Sequence, residues 1–161
     1  MIVLPRPAQV QTAVMLMYAS GVVGMLMLFT VAVVNDPDGE DAEAVLLGLT
    51  GCFGPALHVT AGILGIFVLR GNSECRVAAF AVAGTSAICD GLGSTVGFTA
   101  AGSAAENHIG AFLAFYGVLA ACLMAADAII VGLLAQHRVN AWFAAHRALR
   151  LARHMPPATW P

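Results

Sequence analysis

The sequence predicts an all-α membrane protein, a four-transmembrane-helix bundle followed by a C-terminal basic, partly amphipathic cytoplasmic helix. Composition is the first observation behind this. Of 161 residues, 60% are hydrophobic and only 10% charged, an oiliness that soluble domains of this length do not carry. The second is a set of four apolar stretches, residues 12–34, 44–69, 77–101 and 109–135, each longer than the roughly 20 residues a crossing helix needs. Together they leave no room for a separate soluble catalytic domain. The third is the placement of positive charge. There is no lysine, and the seven arginines sit in the N-terminus (Arg6), the second link (Arg70, Arg76) and the tail (Arg138, Arg147, Arg150, Arg153). Four crossings put those segments on one side, which an excess of arginine marks as the cytoplasm. The expected location is the cell membrane, multi-pass, with both termini inside.

Thr12 to Val34 is an uninterrupted apolar run. A secretory signal has an apolar core of only about 7 to 15 residues, so this run is expected to stay as the first span. Ser20, Gly21 and Gly24 place small residues a turn apart, which lets two backbones approach closely in lipid. The methionines at 15, 17, 25 and 27 are expected to face lipid or fill the core. The following link, Asn35 to Glu43, carries five acids. A calcium loop read back from Gly39 would place Val34 at the first ligand position, so the link reads as a solvated acidic hairpin.

The second span, 44–69, contains Gly48, Gly51, Gly54, Gly62 and Gly65, largely on one side, with Pro55 and His58. Proline cannot donate to the carbonyl one turn back, so a local kink and a polar pocket beside His58 are expected. In the third span, Ser86, Asp90, Gly93 and Gly97 share a face, and Gly93 to Gly97 is a GxxxG motif. The fourth span offers Gly110, Ala114, Gly117 and Ala121 as a small-residue stripe, with Asp127 nearer its far end. Helices two, three and four are expected to pack closely. Residues 136–161 form the tail, in which Trp142, Ala145, Leu149 and Ala152 follow one side and His146, Arg147, Arg150 and Arg153 much of the other. Arg138, Arg147, Arg150 and Arg153 are expected to lie against anionic headgroups.

His58, Asp90 and Asp127 are the ionisable groups within the spans. A charged aspartate at mid-membrane costs about 2.5 to 3.5 kcal/mol on insertion scales, and no arginine is at hand to offset it. A hydrogen bond from His58 to Asp90 is the expected pairing. Counting the rise along each span places Asp127 too deep to join without water. These three residues read either as a proton- or cation-binding set or as polar packing that fixes helix register.

Other chemistries lack their residues. Cys52, Cys75, Cys89 and Cys122 contain no C-x-x-C pair, against a thiol oxidoreductase. Only one histidine lies deep, against bis-histidine haem, and the spacing shows no zinc cluster. No cofactor, no metal and no nucleic-acid partner is therefore expected, and no catalytic constellation is visible.

The entry Arg6-Pro-Ala-Gln-Val-Gln-Thr-Ala-Val into the first span, the lysine-free Ala/Gly/Val-rich four-span layout and the arginine-rich tail resemble the small four-helix membrane proteins of actinobacteria. That resemblance implies a fold and a habitat, with no chemistry attached. The sequence alone thus favours a non-enzymatic membrane subunit. It would pack with itself or with a larger membrane complex through Gly24, Gly51, Gly54, Gly62, Gly93, Gly97 and Gly117, and with lipid through its basic tail. The alternative is a small oligomeric proton-linked transporter or channel using Asp90 and His58.

Overall fold

Five helices in chain order make up the described structure: α1 (Ala8–Val34), α2 (Ala42–Leu69), α3 (Ser73–Ser103), α4 (His108–Ala135) and α5 (His137–His154). The computed structural model describes residues 5–34, 42–103 and 108–154, with side chains for 5–29, 53–99, 101–102, 110–111 and 114–152. Residues 35–41 of the acidic hairpin, the surroundings of Gly51 and Cys52, and the side chain of Arg153 lie outside these. No strand occurs among the described residues. Three helices are long and apolar enough to cross a membrane, within Ala8–Phe29, Ser73–Thr99 and Ala114–Ala135. The apolar part of α2 that can be measured is shorter, Phe53–Leu69.

Successive helices run antiparallel, as the paired depths of their residues show. Gly65 of α2 faces Val14 and Tyr18 of α1, while Gly24 faces Pro55 and His58. Gly54 faces Asp90 across to α3, and Gly117 of α4 faces Ser94 and Phe98. The most extensive contacts join α1 to α2 and α3 to α4, followed by α2 to α3 and α1 to α4. The helices therefore close a ring in chain order: α3 packs on α2 and α4 as expected, and α1 on α2 is a tight pair that the expected packing of two, three and four does not include. The reason is at Gly24. A side chain there would begin 2.6 Å from the Pro55 carbonyl oxygen and 2.8 Å from Cβ of His58, so a bare backbone lets α1 lie directly on α2. α2 runs without a break through Pro55.

One end of the bundle gathers the start of α1, the α2–α3 link, the end of α4, and α5. Here α2 stops in a Schellman motif: Gly71 N–H donates to Val68 O at 3.0 Å and Asn72 N–H to Phe67 O at 3.2 Å, with Gly71 at φ +72°. Asn72 then caps α3, its Oδ1 accepting from Glu74 N at 3.0 Å. α5 begins after a bend at Gln136 and turns back under this link. Val139, Trp142 and Phe143 are buried in the protein's own core. The Arg76 guanidinium lies 5.2 Å from the Phe80 ring and 5.1 Å from Phe143 and donates to Asn140 Oδ1. Arg150 donates to the Gly71 carbonyl. The buried side of α5 is thus the 139-142-143 stripe rather than the expected 142-145-149-152 stripe, because the α2–α3 link supplies aromatic and arginine partners for it. Arg138 and Arg147 remain exposed.

Candidate functional site

The interior changes character along the bundle axis. The main apolar core, from Val10, Val14 and Met17 through Ala61, Val68, Ala79, Ala83, Ile130 and Leu134 to Phe143, lies wholly on the arginine side of one polar layer. That layer holds His58, Ser86, Asp90 and Asp127, all buried. Beyond it, toward the opposite end, the buried positions are mostly small: Gly24, Gly54, Ser94, Gly97, Gly117 and Ala120, with Met27 and Leu123.

Three helices supply the layer. His58 comes from α2, held from behind by the close approach of Gly24 on α1. Its Nε2 lies 2.9 Å from Asp90 Oδ2 on α3, so the expected hydrogen bond is present. Ser86, one turn before Asp90, brings its Oγ to 3.0 Å from the same nitrogen. Gly54 leaves room for the carboxylate, since a Cβ there would stand 3.6 Å from Asp90 Oδ1. Asp127 enters from α4, its Oδ1 3.9 Å from His58 Nδ1. The ring is thus flanked by a carboxylate on each nitrogen.

Asp127 lies in the layer, not below it. Cα–Cβ bonds lean toward the N-terminus of their own helix. On α4 that direction points away from the arginine end, and on antiparallel α3 it points toward it, so the two aspartates converge where a count of helical rise holds them apart. One donor atom from each of His58, Asp90 and Asp127 can be chosen so that all lie within 4.8 Å of one another. The sequence spacing hides this cluster, because its members are 32 and 37 residues apart on separate helices; only the rarity of ionisable residues in the spans pointed to them.

Electrostatically the layer is unbalanced. His58 and Asp127 are 0% exposed and Asp90 5%, and neither carboxylate oxygen of Asp127 has a hydrogen-bond partner. Arg76 is 14 residues before Asp90, about 21 Å along α3, too far to compensate. Two carboxylates and one imidazole, even a protonated one, leave net negative charge in a low-dielectric interior, which is costly unless a proton or cation joins them. Chemically the layer can bind and release a positive charge. The other glycines singled out in the sequence serve packing: Gly62 meets Met17 O, Gly93 meets Tyr116 and Gly117 meets Phe98. Comparison with protein-family models, with curated proteins and with solved structures finds no match.

Proposed function

We propose that this chain is a small four-span protein of the cell membrane, both termini cytoplasmic, working as a proton-linked transporter or channel with His58, Asp90 and Asp127 as its binding station. Support for the fourth span comes from α2, which lies antiparallel between α1 and α3 and whose 28 residues reach about 42 Å. Orientation is supported by the arginines, which gather at one end with α5. The observation that carries the functional reading is Asp127: fully buried, without a hydrogen bond, 3.9 Å from an imidazole already paired to a second acid. A carboxyl that only fixed helix register would be expected to hold a partner. Large apolar side chains fill the interior on the arginine side of the layer, while mostly small residues fill it on the other, which supports entry from the outer end. Replacing Asp90 by Asn preserves shape and removes a titrating group. The protein in liposomes is then expected to lose pH-driven proton flux; unchanged flux contradicts the proposal.

The accessory-subunit reading rests on other residues than the sequence indicated. Gly24, Gly54, Gly62, Gly93 and Gly117 are all in contact inside one bundle, whereas among the described residues Gly84, Gly102 and Gly132 have open space before them for a neighbouring helix. Copurification of a partner that survives Asp90→Asn and is lost on Gly132→Leu would favour it.

A further inference from the structure

The charge arithmetic of the buried layer identifies a ligand class. Two ionised carboxylates and a neutral imidazole carry a charge of −2, which one divalent cation cancels without any other buried charge. Donor chemistry narrows the ion further. An all-oxygen site suits Mg²⁺ or Ca²⁺, whereas an imidazole nitrogen beside carboxylate oxygens suits first-row transition ions. Among the described residues no thiolate joins the layer, so it does not offer the soft ligand set that selects Cu(I).

Geometry agrees. A transition ion bound at about 2.0 to 2.2 Å from each ligand holds tetrahedral donors roughly 3.4 Å apart. The 3.9 Å between His58 Nδ1 and Asp127 Oδ1 is too long for a hydrogen bond and a few tenths of an ångström wide for a shared ion. One donor from each residue lies within 4.8 Å of the others, and bringing the widest pair to ligand spacing takes about 1.4 Å of side-chain rotation. Asp127, buried with both oxygens unpartnered and 3.9 Å from the ring, is the independent observation that points to a ligand here. Ser86 Oγ, 3.0 Å from His58 Nε2, is placed to orient the imidazole, as outer partners of metal-bound histidines do.

We propose that His58, Asp90 and Asp127 form a binding site for one divalent first-row transition-metal ion, which is the substrate of the transport reading. The proposal rests on that reading for its purpose, but binding is measurable without flux. The test uses tag-free protein in detergent, with Co²⁺ as probe. Expected are one Co²⁺ per chain, visible absorption bands of nitrogen- and oxygen-ligated cobalt, and a rise in melting temperature with Co²⁺ in the wild type. Asp127→Asn and His58→Gln should each weaken binding at least tenfold, and His137→Ala, at an exposed position on α5, should leave it unchanged. Mg²⁺ should compete at least tenfold less well than Zn²⁺. Absence of both the absorption bands and the melting shift in the wild type overturns the proposal even if a variant fails to fold. Binding unaffected by Asp127→Asn, or equal competition by Mg²⁺, overturns it too. Proton flux persisting in a protein that binds no Co²⁺ removes the metal and leaves the transport reading standing; metal binding without any flux does the reverse.

Discussion

Asp90 and Asp127 are chemically identical residues a few ångströms apart, yet their surroundings give them different roles. Asp90 accepts from His58 at 2.9 Å, and cutting it back removes that acceptor and leaves the buried ring with Ser86 alone. Asp90→Ala is therefore expected to destabilise by about 1 to 3 kcal/mol. Asp127 holds no hydrogen bond, so an amide of the same shape forfeits little: Asp127→Asn should change stability by under about 1 kcal/mol. Thermal melts of the two variants in one detergent, without added metal, check the contrast; equal losses would contradict the asymmetry. His58 and Asp90 were legible in the sequence because lipid-facing composition leaves so few ionisable residues to pair. Asp127 was placed too deep, since residue counting follows Cα positions and takes no account of the lean of side chains along antiparallel axes.

At the level of the element, the α1–α2 pair hangs on one bare position. Gly24→Ala drives a methyl group into the Pro55 carbonyl and His58 Cβ, and is expected to cost about 1 to 3 kcal/mol through overpacking while displacing the imidazole. Gly84, also in a helix but with nothing near it, supplies the control: Gly84→Ala should be neutral or stabilise by up to about 1 kcal/mol. A melting series reads both, and a harmless Gly24→Ala contradicts the close approach. The small-residue pattern was visible in the sequence, but its use was not. Spacing shows that a glycine faces some helix without saying which, so the pairing of α1 with α2 needed the folded chain. For α5 the limit was different. Phe143 and Val139 fall among basic positions on a helical projection, and only Phe80, Arg76 and the α2–α3 link turn that side inward.

For the whole molecule, the helical class and the long apolar helices followed from composition and run length, while the polar layer depended on three helices meeting at one height. The membrane arrangement proposed above puts the arginine end inside. In a background where the other cysteines are replaced by serine, Cys75 on α3 at that end should react with a membrane-impermeant maleimide only after cells are permeabilised. A single cysteine at Asp38, in the acidic link, should react in intact cells. Labelling of both from outside contradicts the alternating spans.

The buried acidic layer of His58, Asp90 and Asp127 is proposed to take up and release protons across a membrane. Proteoliposomes loaded with a pH-sensitive dye and given an acid step outside test it most directly. Wild-type protein and Gly84→Ala are expected to acidify the lumen well above the rate of empty liposomes, and Asp90→Asn and Asp127→Asn to fall at least tenfold toward that background. Wild-type flux no faster than empty liposomes, or aspartate variants as fast as the wild type, would contradict it.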